Sequence, residues 1–188
     1  MKSKKTIIIC ALVTILILGG VISGVSLLFN HPLRIEKPTF IYIDRDDTAD
    51  SVYVKLQRDL NATHLTGFKM LARLKKYDQQ IHSGAYRFDA SINTLTLFRR
   101  LSSGHQTPVK VVIPSVRTLS RLARSLDRQL MPDSTEFARL VGDSAFCASL
   151  GFSLETMPAL FIPNTYEAYW NTDAEAFIQR MKKEYERF

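Results

Sequence analysis

A long apolar run near the N-terminus constrains this chain more than any other feature. Residues 6–29 contain no charged side chain, and a helix over this run would be about 36 Å long. That length exceeds the roughly 30 Å hydrocarbon core of a bilayer. Lys2, Lys4 and Lys5 precede the run, and positive charge favours the cytoplasmic side. The sequence therefore predicts a single-pass transmembrane helix at 6–29, with a cytoplasmic tail at 1–5.

A cleaved signal peptide is the alternative for the same run. Gly19, Gly20, Ser23 and Gly24 supply the small residues that a cleavage site needs. However, the apolar run continues to Phe29 and is longer than the roughly 7–15 residues of a signal-peptide core. The sequence favours an uncleaved anchor, with the remainder of the chain exported.

Charge and cysteine content narrow the class of the exported part. The formal net charge is +7, of which three lysines lie within residues 1–29, so the exported part carries +4. This mildly basic balance suits an anionic polymer or lipid headgroups but is far from a nucleic-acid signature. Cys10 lies in the apolar run, so Cys147 has no partner for an intrachain disulfide. The histidines have no metal-ligand spacing and are predicted to be surface or loop residues, at positions 31, 64, 82 and 105.

The first exported segment has the signals of a small βααβ unit. After a linker at 30–37, the pattern predicts a strand at 39–43, a helix capped by Thr48 through Leu60, a second helix at 66–75 and a strand at 84–88. The expected helix core is Val52, Leu56, Leu60, Phe68, Leu71, Ala72 and Leu74. In order and size this unit resembles a LysM-like carbohydrate-binding module.

The next segment alternates helix and strand signals. Ser91 is the predicted N-cap of a helix that ends at Ser103 and Gly104, with Ile92, Leu95, Phe98 and Leu101 facing inward. A strand is predicted at 109–114, followed by a helix at 118–130. That helix carries arginines at 117, 121, 124 and 128. This stripe is either a contact surface for wall polymer or membrane phosphates, or a solvated helix face, which is the more common case.

Two further helices complete the pattern. Pro132, Asp133 and Ser134 predict a turn and a cap for a helix through Val141. Residues 171–173 predict the cap of a final helix that is still running at Phe188. Its inward face is expected to need further chain to pack against, at Ala176, Phe177, Ile178 and Met181.

The stretch "LFIPNTYEAYW" at 160–170 is the most unusual segment. Its apolar start predicts a strand, and Pro163 predicts that this strand ends there, at a lined pocket or groove. Tyr166, Tyr169 and Trp170 add three aromatic rings to this segment. Alternatively, Tyr169 and Trp170 cover the following helix, while Asn164 and Thr165 form a turn by bonding their own backbone.

The order of three blocks resembles the MltG (YceG-like) endolytic murein transglycosylase family, specifically its N-terminal portion. The blocks are "SGAYRFDASINTLTLFRRLSSG", "VVIPSVRTLSRLARSL" and "LFIPNTYEAYW". Asn164 before the threonine resembles the versions from Bacteroidetes-like bacteria. The resemblance implies an α+β fold with an N-terminal transmembrane helix, a LysM-like domain at 38–105 and the first part of an α+β catalytic domain at 106–188.

The resemblance also implies an activity. In such transglycosylases a single glutamic acid protonates the glycosidic oxygen between muramic acid and glucosamine, and the muramyl 6-hydroxyl closes on the anomeric carbon. The product is a 1,6-anhydro sugar, so the enzyme is a lyase, and no metal or other cofactor is expected. The implied role is to cleave nascent glycan strands and terminate their elongation. The implied setting is the bacterial inner membrane, with a periplasmic ectodomain and peptidoglycan synthases as partners.

The implied site residues lie in the last block. Asn164, Thr165 and Tyr166 are expected to contribute to the substrate cleft. A glycan in this cleft could stack its sugar rings on Tyr166, Tyr169 and Trp170. Glu167 is the only carboxylate in this block and therefore the candidate acid, with Glu155 a weaker one. In the family, however, the catalytic glutamate belongs to a segment after the final helix, so the chain as given is expected to be inactive alone. A non-catalytic peptidoglycan-binding or scaffold protein of the envelope, and an anchored domain unrelated to peptidoglycan, are the alternatives.

Overall fold

The computed structural model describes residues 2–30, 32, 33, 35, 37–62, 65–89, 91–115, 118–132 and 134–188. The predictions made for four residues cannot be compared with the structure, because these residues lie outside the described ones: His31, His64, Arg117 and Asp133. The described residues form a mixed α+β fold, as predicted. Its helices are α1 Lys2–Phe29, α2 Ala49–Leu60, α3 Thr66–Leu74, α4 Thr94–Ser102, α5 Leu119–Asp127, α6 Ser134–Val141, α7 Ser144–Ser149 and α8 Ala174–Arg187. Its strands are β1 Pro32–Leu33, β2 Thr39–Ile43, β3 Gly84–Phe88, β4 Ile92–Asn93, β5 Val109–Ile113 and β6 Asn164–Ala168.

The chain divides into two compact units. Unit 1 comprises Met1–Ile41, Asp47–His82 and Arg87–Gly104. Unit 2 comprises Tyr42–Asp46, Ser83–Tyr86 and His105–Phe188. Among the described residues, no helix combines the length and the apolar character needed to cross a bilayer. The anchor at 6–29 therefore stays a prediction.

The predicted order of strand, helix, helix and strand is confirmed in β2, α2, α3 and β3, and β2 pairs with β3 in a two-stranded sheet. Helix α2 begins at a capping box, in which Ser51 N–H donates to Thr48 Oγ1 at 3.3 Å and Thr48 N–H donates to Ser51 Oγ at 2.9 Å. These bonds satisfy two donors that a helix start leaves open. The helix ends at Asn61, whose φ of 49° is left-handed. Its buried residues are the predicted Val52, Leu56 and Leu60.

An aromatic cluster forms much of the core of unit 1. Phe68 makes edge contacts with Tyr77 and Phe98, with ring centroids 6.0 and 5.6 Å apart. Phe68, Leu71 and Ala72 are buried as predicted. Leu74 was expected in this core but is 72% exposed, because α3 ends there and the chain turns away through Lys76, whose φ is 50°.

The start of α4 differs from the prediction. The helix is capped by Asn93, whose Oδ1 accepts from Thr96 N–H at 2.7 Å, and not by Ser91. The reason is that Ile92 and Asn93 form β4, which pairs antiparallel with β1 inside the predicted linker. Helical backbone can begin only after that pairing ends. The buried face is consequently Thr94, Leu97, Phe98 and Leu101, with Leu95 half-buried.

In unit 2 the strand predicted at 109–114 is confirmed as β5, which pairs antiparallel with β6. The helix predicted at 118–130 is α5, which is capped by Thr118 and ends at Asp127. Helix α8 is capped by Asp173, whose Oδ1 accepts from Ala176 N–H at 2.7 Å. Ala176 itself was predicted to face inward and is exposed, whereas Ala174 is buried.

The prediction that the inward face of α8 needs further chain is wrong. Phe177 and Ile178 are 0% exposed and Met181 is 1% exposed. Phe177 makes an edge contact with Phe137 of α6, with ring centroids 6.0 Å apart. Residues already present in unit 2 therefore cover this face.

Candidate functional site

A groove of about 220 Å³ in unit 2 is the candidate site suggested by the block at 160–170. It is lined by Ser115, Thr118, Leu119, Leu122, Pro158, Ala159, Phe161, Ile162 and Pro163. One wall comes from the segment after β5 and the start of α5, and the other from the segment before β6. The lining combines apolar surface with two hydroxyl groups, which is the usual character of a pocket for an uncharged polar ligand.

Two prolines open this groove at the end of the sheet. Ile113 of β5 pairs with Asn164 of β6, Pro114 follows the first and Pro163 precedes the second. Proline has no N–H to donate to a strand ladder. Pairing therefore stops at this point, and the two segments beyond it form opposite walls.

The strand in this block lies on the other side of Pro163 from where it was predicted. Leu160 ends a 3-10 helix, Met157–Leu160, and the strand begins only at Asn164. Leu160 and Phe161 are 1% and 5% exposed, so their apolar character reflects packing of this turn. Proline restricts pairing to the residues after it, and the chain enters a strand at Pro163 instead of leaving one.

The predicted substrate residues occupy the first half of β6. Asn164 and Thr165 are exposed, and Asn164 Oδ1 accepts from Thr165 N–H at 2.8 Å. Tyr166 is buried, and its hydroxyl donates to the Ile162 carbonyl at 3.0 Å. Burial, together with the nearby Glu184 carboxylate, raises the pKa of Tyr166, so its hydroxyl remains a donor. None of the three lines the groove, and Tyr166 instead fixes the segment that does.

Glu167 lies in the middle of β6 and not in the groove. Its side chain is exposed on the same face as Thr165, and its cross-strand neighbour is Lys110. Its backbone carbonyl accepts from the guanidinium of Arg180 in α8. A carboxyl group that protonates a glycosidic oxygen works best in an enclosed, partly desolvated position. The position of Glu167 does not offer that enclosure.

Glu155 is even less suited to donate a proton. The Ser153 hydroxyl donates to its carboxylate at 2.6 Å and lowers the pKa of Glu155. A hydrogen bond to the ionised form stabilises that form. Glu155 is therefore held as a carboxylate on an exposed loop.

The remaining aromatic residues of the block divide between packing and exposure. Trp170 stacks at a tilt on Tyr42, with ring centroids 5.0 Å apart, and its carbonyl accepts from Met131 N–H at 2.8 Å. Tyr169 is 53% exposed. Trp170 is thus a packing residue, and the aromatic ring that it contacts is that of Tyr42.

A side chain secures the outer edge of β5 close to the groove. Val112 N–H donates to Gln129 Oε1 at 2.7 Å, and Gln129 Nε2 donates to the Val112 carbonyl at 3.0 Å. The same Nε2 also donates to the Ser125 carbonyl at 2.9 Å. The Gln129 carboxamide therefore satisfies the backbone N–H and carbonyl of Val112, as a neighbouring strand would. It fixes β5 just before Pro114 and Ser115.

A second groove, of about 420 Å³, lies in unit 1 and was not predicted. It is lined by Ala49, Asp50, Tyr53, Lys69, Ala72, Arg73, Lys76, Asp78 and Gln79. Lys69 Nζ lies 5.1 Å from the centroid of the Tyr53 ring. Tyr53 was the only hint in the sequence, as an aromatic residue outside the predicted apolar face of α2. Its proximity to Lys69 and Arg73 depends on how α3 packs, which the sequence pattern does not show. Among the described residues, no group of three His, Cys, Asp or Glu side chains could hold a metal ion.

Comparison with known proteins identifies the relatives of this chain. The sequence model of the YceG-like family matches residues 41–188. The chain belongs to the YceG-like family. The match extends over both units and includes the groove beside Pro163, so the resemblance carried by the three sequence blocks is confirmed.

A YceG-like protein of Listeria monocytogenes, known from a 2.6 Å crystal structure, is one similar solved structure. It is 17% identical, with a TM-score of 0.42, and the alignment covers 81% of this chain. Because the alignment covers 55% of the Listeria chain, this YceG-like chain spans about half the length of that relative. A search of curated proteins finds none that matches.

Proposed function

We propose that this chain is the N-terminal part of a membrane-anchored endolytic peptidoglycan transglycosylase. The complete enzyme would cleave nascent glycan strands, leave 1,6-anhydro-muramic acid ends and so terminate elongation. The observation that carries this proposal is the YceG-like match over residues 41–188. The groove at the end of the β5–β6 sheet supports it by offering a place for a sugar chain.

The groove would hold one part of the glycan strand. Leu119, Pro158 and Pro163 present apolar surface to the faces of the sugar rings, and the hydroxyls of Ser115 and Thr118 can bond sugar hydroxyls. Asn164 and Thr165, exposed next to Pro163, extend this polar contact. Tyr166 and Gln129 act as positioning residues, because each fixes the backbone beside one wall.

The proton donor would come from outside this sequence. A single carboxyl group with a raised pKa can serve first as acid and then as base, so a second carboxylate is not required for a transglycosylase. By resemblance to the family, we place this acid on a segment that follows α8. The groove residues then orient the linkage between muramic acid and glucosamine, so that the muramyl 6-hydroxyl reaches the anomeric carbon.

Unit 1 would contribute a second contact with the wall. Its βααβ order suits the proposed LysM-like role, and its groove places the ring of Tyr53 beside the charged groups of Lys69 and Arg73. The apolar run at 6–29 would anchor the protein in the inner membrane, with the remainder in the periplasm. Peptidoglycan synthases would be its natural partners there.

A non-catalytic peptidoglycan-binding or scaffold protein is the second candidate function. The observation that favours it is that no carboxylate is found among the described residues that line the unit 2 groove. The DNA beyond the codon for Phe188 discriminates between the two candidates. A continuing reading frame with a glutamate-bearing segment supports the enzyme, whereas a stop codon supports the scaffold.

Filling the groove tests its role in binding. Ser115→Tyr places a ring at an exposed lining position, and we expect it to reduce co-sedimentation of the full chain with purified peptidoglycan. Ser144→Tyr, at an exposed position of α7 outside the groove, is the matched control and should bind like the wild type. Equal binding by all three proteins would exclude this groove as a glycan site.

A further inference from the structure

The exposed side of α5 and its C-cap carry three arginines that pair with no carboxylate among the described residues. Arg121, Arg124 and Arg128 are all exposed. Within the described part of the chain, their guanidinium groups take part in none of the ion pairs. Their spacing of three and four residues places them on one face, along about 10 Å of helix axis. We call these three residues the arginine stripe.

The stripe is a local concentration of positive charge in a segment that is net acidic elsewhere. Residues 105–188 contain ten basic and ten acidic side chains. Residues 118–128, by contrast, contain three arginines and a single acid, Asp127. The remainder of 105–188 therefore holds seven basic and nine acidic side chains. A positive face in such a surrounding attracts anions locally. Arginine in particular binds carboxylates and phosphates through two parallel hydrogen bonds.

The stripe adjoins the groove, because both are built on α5. Thr118, Leu119 and Leu122 of this segment line the groove. Arg121 follows Thr118 by three residues, and its backbone N–H donates to Thr118 Oγ1 at 3.4 Å. Leu122, Ala123 and Leu126 are buried, so the arginines project from the opposite, solvent-facing side. Because residues three apart are neighbours on a helix surface, a ligand that contacts Thr118 would lie beside Arg121, whereas Arg124 and Arg128 follow farther along the helix.

The character of this face argues against a lipid surface. Binding at a membrane interface needs apolar side chains beside the cationic ones, whereas the apolar residues of α5 that could serve are buried or half-buried. Lipid recognition by charge alone typically uses clusters of about four to eight basic residues. Three separated arginines instead fit discrete carboxylates.

From this geometry we infer that the arginine stripe binds carboxylates of the peptide stems that branch from the glycan strand. This inference rests on the proposed function, because it assumes that a glycan occupies the adjacent groove. It names the substrate class as glycan that still carries its acidic peptides. Glycan from which the peptides have been removed would be bound through the groove alone.

The test compares two forms of the polymer and two variants of the full chain. Detergent-solubilised protein is sedimented with intact peptidoglycan and with peptidoglycan whose stem peptides an amidase has removed. The stripe variant carries Arg121→Gln, Arg124→Gln and Arg128→Gln. The control variant removes the same amount of charge at exposed positions elsewhere in unit 2, through Arg139→Gln, Lys183→Gln and Arg187→Gln.

We expect the wild type and the control variant to bind intact peptidoglycan about tenfold more tightly than stripped glycan, a preference that high salt should abolish. The stripe variant should lose this preference and bind stripped glycan like the wild type. Retention of the preference by the stripe variant would overturn the inference while leaving the proposed function intact. Failure of the wild type to bind either polymer would overturn the proposed function itself.

A lipid role is tested with the same proteins. Flotation of each protein with phosphatidylglycerol vesicles is compared with its flotation with phosphatidylcholine vesicles. Because all variants contain the same N-terminal apolar run, a difference between them reflects the arginine stripe. We expect the wild type and the stripe variant to show the same ratio between the two vesicle types. A preference for phosphatidylglycerol that disappears in the stripe variant would overturn the inference in favour of a membrane surface.

Discussion

Burial of Tyr86 links the stability of this chain to pH at the level of one residue. Tyr86 lies in β3 and is 0% exposed. Desolvation raises its pKa from 10.0 to about 12, because a buried phenolate would lose its hydration. Between these two values the unfolded chain releases a proton that the folded chain retains. The contribution of Tyr86 to the free energy of unfolding is therefore fully present below pH 10 and is lost as pH rises towards 12.

We expect the free energy of unfolding to fall by about 2 kcal/mol between pH 9.5 and pH 12 on account of Tyr86. Urea denaturation across this range, compared with Tyr86→Phe, isolates the effect, since the variant cannot ionise. Tyr169→Phe, at a largely exposed position, should keep the pH dependence of the wild type. Parallel pH profiles for Tyr86→Phe and the wild type would show that Tyr86 is not the group responsible.

At the scale of elements, the boundary of α4 depends on a contact distant in sequence. Asn93 caps the helix and simultaneously pairs with Pro32 of β1. A cap that satisfies an open helix donor typically stabilises a protein by about 1 kcal/mol. The helix start is thus fixed by the end of a strand, and not by the first suitable serine.

Two alanine substitutions compare the predicted and observed caps of α4. Asn93→Ala should lower the free energy of unfolding by about 1 kcal/mol, because Thr96 N–H loses its acceptor. Ser91→Ala, at an exposed position, should change it by less than about 0.5 kcal/mol. Chemical denaturation of both variants provides the comparison, and a larger loss for Ser91→Ala would restore the cap first predicted.

Local signals explain which elements could be predicted from sequence. Helix α2 has a capping box and a regular apolar face, and both are read within a dozen residues. In contrast, β1 pairs with β4, about sixty residues away, and a two-residue strand leaves no periodic pattern. Leu74 was wrongly predicted to be buried, because apolar periodicity does not show at which residue the helix leaves the protein core.

The candidate groove was predictable only in part for the same reason. Pro163 marks the point where a strand and a groove meet, and this was visible in the sequence. The opposite wall at Ser115 and Thr118 depends on the pairing of Ile113 with Asn164. That register joins segments fifty residues apart, and no local pattern determines it.

At the scale of the whole molecule, the apolar run at 6–29 predicts where the protein is found. Full-length protein in expressing cells should remain in the membrane fraction after a carbonate wash. Extraction would move the uncharged residues 6–29 from the hydrocarbon core of the bilayer into water, which is unfavourable. A C-terminal tag should be accessible to protease added outside the cytoplasmic membrane. A soluble product that begins near residue 25 would instead indicate a cleaved signal peptide.

The central claim is our proposal that the unit 2 groove of this YceG-like chain binds glycan, while Glu155 and Glu167 do not supply the acid that cleaves it. Absence of a general acid typically costs about 10²–10⁴ in rate, so residues 1–188 should release no detectable anhydro-muropeptides from peptidoglycan. If the reading frame continues with a glutamate-bearing segment, a version extended through that segment should release them. Mass spectrometry of the soluble products measures both. Anhydro products from residues 1–188 that disappear in Glu167→Gln would contradict the account and place the acid on β6.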